Sequence, residues 1–201
     1  MKKTEIKAII FDWDGVITTE DTKIASLLNY FGSKYGKIEE LNEVFSDNWG
    51  KARINKISSK VFWENIAKSI GINKENLRKD FVSFTKLEKN ILKLIKKLKK
   101  KYKLGLLSNH MEDWLEIDLD KFNLRKIFDV IVVSYKSGKA KPDKEIYLEI
   151  IKKLNANFSE CIYIDDSQKN LPPAEKLGMK TILFKNNKQL IRDLKKFGVK
   201  I

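Results

Sequence analysis

The chain has 201 residues, of which 42% are hydrophobic and 10% aromatic, a composition that excludes a disordered or fibrous protein. Its 41 basic and 27 acidic residues give a formal net charge of +14, yet only four of the basic residues are arginine. Specific readers of nucleic acid favour arginine for bidentate contacts, so we expect no specific nucleic-acid partner. A basic module that binds nucleic acid or another protein is the alternative.

Cysteine usage and hydropathy predict the compartment. Cys161 is the only cysteine, so an internal disulfide is impossible, which is typical of a reducing environment. The basic start is followed by an apolar run too short for a signal peptide, and no segment approaches the ~20 apolar residues of a membrane span. We therefore expect a soluble, cytoplasmic protein without a membrane partner.

The first predicted element is a buried strand, Ala8–Phe11, and the residues after it carry helical patterns without a convincing strand. Such a stretch is far longer than one crossover needs, so it predicts a small helical cap domain inserted at 18–86. The α/β core domain would then consist of 1–17 and 87–201. The helical patterns of the insertion are Ile24–Phe31, Leu41–Phe45, Val61–Ile70 and Leu77–Phe84.

A basic amphipathic helix is predicted over Leu87–Tyr102, with its apolar residues on one face and lysines on the other. Such a helix can bind a membrane surface or a calmodulin-like partner. Because a strand follows it directly, we interpret it as a crossover helix whose apolar stripe packs on the sheet.

Strands and helices alternate through the rest of the chain, which predicts a doubly wound, Rossmann-like parallel sheet. The later strands are short Ile-, Val- and Leu-rich runs without polar alternation, as in a sheet covered on both faces. They are Leu104–Leu107, Val130–Val133, Cys161–Ile164 and Thr181–Phe184. Helices are predicted over Glu145–Leu154, Ala174–Leu177 and Gln189–Ile201.

Polar residues follow the carboxyl ends of four predicted strands, which is where open α/β sheets bind ligands. They are Asp12 and Asp14, Ser108 and Asn109, Lys139 and Lys141, and Asp165 and Asp166. In an extended chain Asp12 and Asp14 point to the same side and repel each other. A hard divalent cation such as Mg²⁺ resolves that repulsion, and Asp166 offers it a further carboxylate.

These four stations resemble the motifs of the haloacid dehalogenase-like (HAD) hydrolase superfamily, in the subfamily with a helical cap between motifs one and two. The first motif, DxDG(V/T), is present as DWDGV, and the second as LGLLSN. The lysine motif is present as KAKPD, and the acidic fourth motif as YIDDSQKNLPPAEKLGM.

The resemblance implies a Mg²⁺-dependent phosphatase that hydrolyses a small phosphorylated metabolite through an aspartyl-phosphate. Asp12 is the implied nucleophile, and Asp14 the general acid and then the general base. Mg²⁺ would be held by the side chains of Asp12 and Asp166 and by the backbone carbonyl of Asp14. The phosphoryl group would be bound by Ser108, Asn109 and Lys141.

Several points stay open in the sequence. The acid at Asp14 favours a phosphatase or a phosphomutase acting on a sugar phosphate over a dehalogenase. Asn170 stands where many family members carry another acid, and we assign the metal to Asp166 rather than to Asp165. His110, the only histidine, either packs or contacts substrate. Lys139 competes with Lys141 for the lysine role, and the following proline favours Lys141.

Overall fold

The computed structural model describes residues 5–201, with only the backbone of Thr22. Its centre is a parallel five-stranded sheet with the order β3-β2-β1-β4-β5. The strands are β1 (Ala8–Phe11), β2 (Lys103–Ser108), β3 (Val130–Val133), β4 (Cys161–Asp165) and β5 (Lys180–Leu183). The predicted fold class is therefore confirmed, and each predicted strand matches within one or two residues.

Four helices follow β1, ahead of the crossover helix that leads to β2, and we call these four the helical insert. They are α1 (Ile24–Tyr35), α2 (Ile38–Ala52), α3 (Ser59–Ile70) and α4 (Lys74–Ser83). The two chain segments that join the insert to the sheet pair with each other, because Glu88 N donates to Ile17 O at 2.9 Å and Thr19 N to Lys86 O at 3.0 Å. The domain limits at 17/18 and 86/87 stay a prediction.

An aromatic cluster forms the interior of the helical insert. Phe62, Trp63 and Phe81 are buried, and the rings of Phe31 and Phe81 stack with centroids 4.4 Å apart. Trp114 of the helix after β2 belongs to the same cluster, so the insert packs against the sheet domain through apolar contacts. Burying each such ring contributes on the order of 1.5–3 kcal/mol.

Six helices follow the insert and cover the sheet. They are α5 (Lys89–Leu98), α6 (Glu112–Lys121), α7 (Ser134–Ser137), α8 (Lys144–Leu154), α9 (Leu171–Lys176) and α10 (Asn187–Lys196). The apolar stripe of α5 is buried against residues of β1 and β2, which is the crossover arrangement. None of the helices among residues 5–201 has both the length and the apolar character needed to cross a membrane.

Several helical elements differ from the sequence prediction, among them the short α7, which was not predicted, and α5, which ends at Leu98 rather than at Tyr102. Helix α6 was not predicted, because the buried acid Asp118 interrupts its apolar stripe. Helix α10 ends at Lys196 rather than at Ile201, since Gly198 adopts a left-handed φ of +85° and returns the chain to the core at Val199.

Candidate active site

Asp12 follows β1 directly and lies at the carboxyl edge of the sheet. Its backbone N–H continues the ladder by donating to Ile164 O at 2.9 Å, so β4 fixes where the residue sits. The backbone N–H of Trp13 donates to Asp12 Oδ1 at 2.7 Å, which orients the carboxylate. The Asp12 residue is 7% exposed, so its carboxylate faces a nearly closed crevice.

A tight turn after Asp12 brings Asp14 back to the same crevice. The carbonyl of Trp13 accepts from the N–H groups of Ile17 and Thr18 at 3.0 and 3.1 Å. Gly15 has φ +70°, a left-handed conformation that favours glycine. Asp14 is therefore held half-buried on the turn, two residues from Asp12.

Lys141 is a buried ammonium between two carboxylates. Its Nζ lies 2.6 Å from Asp12 Oδ1 and 2.8 Å from Asp165 Oδ2, and it donates to Leu107 O at 3.1 Å. Three acceptors thus satisfy all three of its protons. Lys139, the competing lysine, is exposed.

Asn109 forms a reciprocal pair with the Lys141 backbone. Its Oδ1 accepts from Lys141 N at 2.7 Å, and its Nδ2 donates to Lys141 O at 2.8 Å. These bonds tie the loop that carries Lys141 to the end of β2. The structure therefore gives Asn109 a part in positioning Lys141, while its predicted contact with a phosphoryl group stays a prediction.

Ser108 ends β2 with its side chain 1% exposed. Its Oγ has no hydrogen-bond partner among the described residues. A buried hydroxyl without a partner costs free energy. The predicted contact of Ser108 with a phosphoryl oxygen would supply that partner, and it stays a prediction.

Asp165 and Asp166 end β4 and have different surroundings. Asp165 is fully buried and accepts hydrogen bonds from Tyr163 Oη, Ser167 N and Asn170 Nδ2 in addition to Lys141. Asp166 is 20% exposed and pairs with Lys23. Asp165 is thus fully occupied by protein donors, and Asn170 supplies one of them.

Three carboxylates lie close enough to hold one metal ion. One oxygen from each of Asp12, Asp165 and Asp166 lies within 4.8 Å of the others. Hard oxygen ligands of this kind fit Mg²⁺, which binds through few carboxylates and keeps several waters. The side chain of Asp14 does not join this cluster, so its predicted contribution through the backbone carbonyl stays a prediction.

The pKa values of three acids in the crevice, Asp12, Asp14 and Asp165, depart from the ordinary value of aspartate. Burial and the Asp165 carboxylate raise the pKa of Asp12 well above its ordinary value, against the pull of Lys141. Burial also opposes ionisation of Asp165, but Lys141 and the hydrogen bonds outweigh it and lower its pKa. Burial raises the pKa of Asp14 to about 7, with Lys141 opposing and the charges of Asp118 and Asp166 reinforcing the shift. A carboxyl group that titrates near neutral pH is suited to proton transfer.

His110 lies buried between two tryptophans. The ring centroids of Trp49 and Trp114 are 5.5 and 5.1 Å from that of His110, both edge-on. Its Nδ1 is 3.2 Å from Met111 O, and burial lowers its pKa to about 4. These contacts agree with the interpretation that His110 packs in the interior as a neutral ring. Its contact with substrate stays a prediction.

Two residues near the site escaped sequence prediction. Asp118 on α6 is buried and accepts from Thr85 Oγ1 at 2.8 Å, while Trp114 Nε1 donates to the same Thr85 oxygen at 3.2 Å. Lys23 reaches Asp166 from the start of the helical insert. In the sequence, Asp118 is detectable as an acid inside the short apolar stripe of α6. No sequence pattern distinguishes Lys23 from the many other lysines.

Comparison with known proteins agrees with this geometry. A protein-family model described as haloacid dehalogenase-like hydrolase matches residues 9–184. The match includes all of the sheet except Ala8, and all four stations of the crevice. The chain therefore belongs to the haloacid dehalogenase-like hydrolase family.

Two curated relatives carry enzyme names. The chain is 29% identical over 193 residues to the putative phosphatase YhcW of Bacillus subtilis, covering 90% of this chain and 84% of that protein. It is 35% identical over 88 residues to flavin mononucleotide hydrolase 1 of Arabidopsis thaliana, which is 44% of this chain and 36% of that protein. The matched part thus spans about a third of the Arabidopsis protein.

A solved structure shares the fold. The magnesium complex of a HAD family enzyme, bt-2542 from Bacteroides thetaiotaomicron, superimposes with a TM-score of 0.79 at 24% sequence identity. The superposition covers 93% of this chain and 98% of that one. The family match makes this chain a haloacid dehalogenase-like hydrolase, and a protein named as a putative phosphatase is among those that it resembles.

Proposed function

We propose that the chain is a Mg²⁺-dependent phosphatase that hydrolyses a small phosphorylated metabolite through an aspartyl-phosphate on Asp12. One observation carries the proposal: the carboxylate of Asp12 lies 2.6 Å from the buried ammonium of Lys141, beside the unpartnered hydroxyl of Ser108. The proposed nucleophile and the lysine charge are thus in contact, and the proposed hydroxyl donor ends the strand next to β1. The phosphatase and hydrolase names of the two relatives support the same chemistry.

In the first half-reaction, an oxygen of Asp12 would attack the phosphorus of the substrate. The bond between phosphorus and the leaving oxygen breaks, and Asp14 gives its proton to that oxygen. Lys141 and Ser108 would bind the phosphoryl oxygens through a charge-assisted and a neutral hydrogen bond. The products of this step are an alcohol and the aspartyl-phosphate.

In the second half-reaction, water would attack the phosphorus of the aspartyl-phosphate. The Asp14 carboxylate takes the proton of that water, and the bond between phosphorus and the Asp12 oxygen breaks. Inorganic phosphate leaves, and both aspartates return to their starting states. A pKa of about 7 for Asp14 suits a group that must donate and then accept a proton near neutral pH.

Two carboxylates of the acidic cluster, those of Asp12 and Asp166, fit the metal part of the proposal. Mg²⁺ held by Asp12, Asp166 and the Asp14 carbonyl would offset the repulsion between the anionic nucleophile and the phosphoryl group. Asp165 accepts hydrogen bonds from Lys141 and other donors, so it would hold the ammonium group of Lys141 in position.

The helical insert supports a small substrate. Trp49 of α2 contacts His110 beside the end of β2, so the insert covers one side of the crevice. A covered crevice favours a metabolite over a phosphoprotein. The division into a core domain (1–17 and 87–201) and a cap domain (18–86), and the cytoplasmic location, belong to the same proposal.

The test is the release of inorganic phosphate from p-nitrophenyl phosphate, with Mg²⁺ and with EDTA, for the wild type and Asp12→Asn. We expect turnover that requires the metal. Turnover should fall at least ~10³-fold in Asp12→Asn, because removing a nucleophile also disables the catalytic groups that work together with it. Asp120→Asn, an exposed acid on α6, is the matched control and keeps wild-type turnover.

Turnover retained by Asp12→Asn would overturn the nucleophile assignment. Turnover unaffected by EDTA would overturn the metal requirement. A folded, metal-loaded wild type that releases no phosphate from a broad panel of phosphorylated metabolites would favour the phosphomutase alternative, in which the group returns to a second hydroxyl.

A further inference from the structure

Lys23 connects the helical insert to the acidic cluster. Its Nζ lies 2.7 Å from Asp166 Oδ2 and 2.8 Å from Glu20 Oε2. Lys23 is also the residue directly before α1, and its carbonyl accepts the N–H of Leu27 at 3.0 Å. One residue therefore both begins the insert and pairs with a carboxylate of the cluster.

Gly15 leaves the space through which the Lys23 side chain passes. A Cβ atom at Gly15 would lie 2.2 Å from Lys23 Cε and 2.5 Å from Asp166 Oδ2, distances that real Cβ atoms do not show. The side chains of Lys23 and Asp166 are only 29% and 20% exposed. The ion pair between Lys23 and Asp166 therefore packs against the turn at Gly15 and is partly shielded from water.

We propose that Lys23 competes with the divalent cation for the carboxylate of Asp166, an inference that rests on the proposed metal role of that residue. An ammonium and a Mg²⁺ ion on the same partly buried carboxylate repel each other. Each therefore lowers the affinity of the site for the other. Lys141 is enclosed by Asp12, Asp165 and a carbonyl, so Lys23 is the more exposed of the two lysines and the one that can leave.

Release of Lys23 would couple metal binding to the helical insert. Without the cation, Lys23 fastens the start of α1 to the sheet domain through Asp166. With the cation bound, Glu20, which lies on the insert side of the turn, is the acceptor that Lys23 keeps. Occupancy of the acidic cluster would in this way change how firmly the insert is held at its first residue.

The test measures Mg²⁺ affinity rather than turnover. Isothermal titration of MgCl₂ into the substrate-free protein compares the wild type with Lys23→Met and Lys23→Arg. We expect the Kd of Lys23→Met to fall about five- to tenfold, the low end of coupling between two ligands. Lys23→Arg keeps the charge and should stay within about twofold of the wild type.

Lys86→Met is the matched control for the loss of one positive charge. Lys86 lies in the other segment that joins the insert to the sheet, and it pairs with Asp21 at 2.9 Å instead of with the cluster. Its Kd should equal that of the wild type. Circular dichroism verifies that each variant is folded before titration.

A second measurement uses the wild type alone. Acetylation of Lys23 by a water-soluble N-hydroxysuccinimide ester, followed by peptide mass spectrometry, should rise several-fold as MgCl₂ is added. An affinity of Lys23→Met equal to or weaker than that of the wild type, or labelling of Lys23 that Mg²⁺ does not change, overturns the competition. Absence of Mg²⁺ binding in every variant overturns the metal part of the proposed function as well, whereas unequal affinities without phosphatase turnover would leave the competition standing.

Discussion

The buried carboxyl group of Asp118 makes the stability of the fold depend on pH. One of its oxygens accepts a hydrogen bond from Thr85, and the other has no partner among the described residues. Burial raises its pKa from 3.8 to about 7, against that hydrogen bond. Ionising Asp118 in the folded protein is therefore unfavourable.

The sign and size of the effect follow from proton linkage. Between pH 4 and pH 7 the folded chain holds more protons at Asp118 than the unfolded chain, so the free energy of unfolding falls as the pH rises. The stabilisation is complete below the unfolded pKa and is lost by the folded pKa. At about 1.4 kcal/mol per pKa unit, the upper bound is about 4 kcal/mol over the whole range and about 2.6 kcal/mol between pH 5 and pH 8.

Urea unfolding followed by tryptophan fluorescence at pH 5 and pH 8 measures this difference. Asparagine does not ionise, so the stability of Asp118→Asn relative to the wild type should increase by about 2–3 kcal/mol from pH 5 to pH 8. Asp120→Asn, whose carboxylate is exposed and pairs with Arg125, is the control and should follow the wild type. If Asp118→Asn instead keeps the wild-type pH dependence within about 0.5 kcal/mol, the buried carboxyl does not titrate as argued.

Three further substitutions test the crevice. Lys141→Met leaves two buried carboxylates without their ammonium, so urea unfolding should show a loss of about 3–5 kcal/mol of stability, and phosphatase activity should be lost as well. Lys139 is exposed, so Lys139→Met should change neither the stability nor the activity. Gly15→Ala places a methyl group 2.2 Å from Lys23 Cε and 2.5 Å from Asp166 Oδ2 at a left-handed φ, so we expect a loss of at least about 1 kcal/mol in urea unfolding; unchanged stability would contradict this. Ser108→Ala removes a hydroxyl without a protein partner, so stability should stay within about 1 kcal/mol while inhibition by inorganic phosphate weakens at least about fivefold; unchanged inhibition would remove Ser108 from the phosphoryl site.

The sheet and the main crevice were predictable from the sequence because both depend on local patterns. Continuous runs of Ile, Val and Leu mark parallel strands covered on both faces, and these strands appear within one or two residues of the prediction. The segments that follow such strands converge at one edge of the sheet, which brings Asp12 and Lys141 together although they are far apart in the chain. Helix α6 was not predicted because a hydropathy pattern counts an acid as polar even where it is buried, as Asp118 is.

The residues that adjust the crevice depend on tertiary contacts and carry no local signal. Asn109 follows a strand like a ligand-binding residue, yet its amide is used on the backbone of Lys141. Lys23 belongs to a lysine-rich sequence, and only the missing side chain at Gly15 gives it access to Asp166. Sequence patterns can thus point to the groups that are proposed to react, since these follow strands, while the side chains that pair with them come from the insert and the loops. The proposed competition at Asp166 therefore predicts that metal affinity changes with substitutions at Lys23 that leave every motif intact.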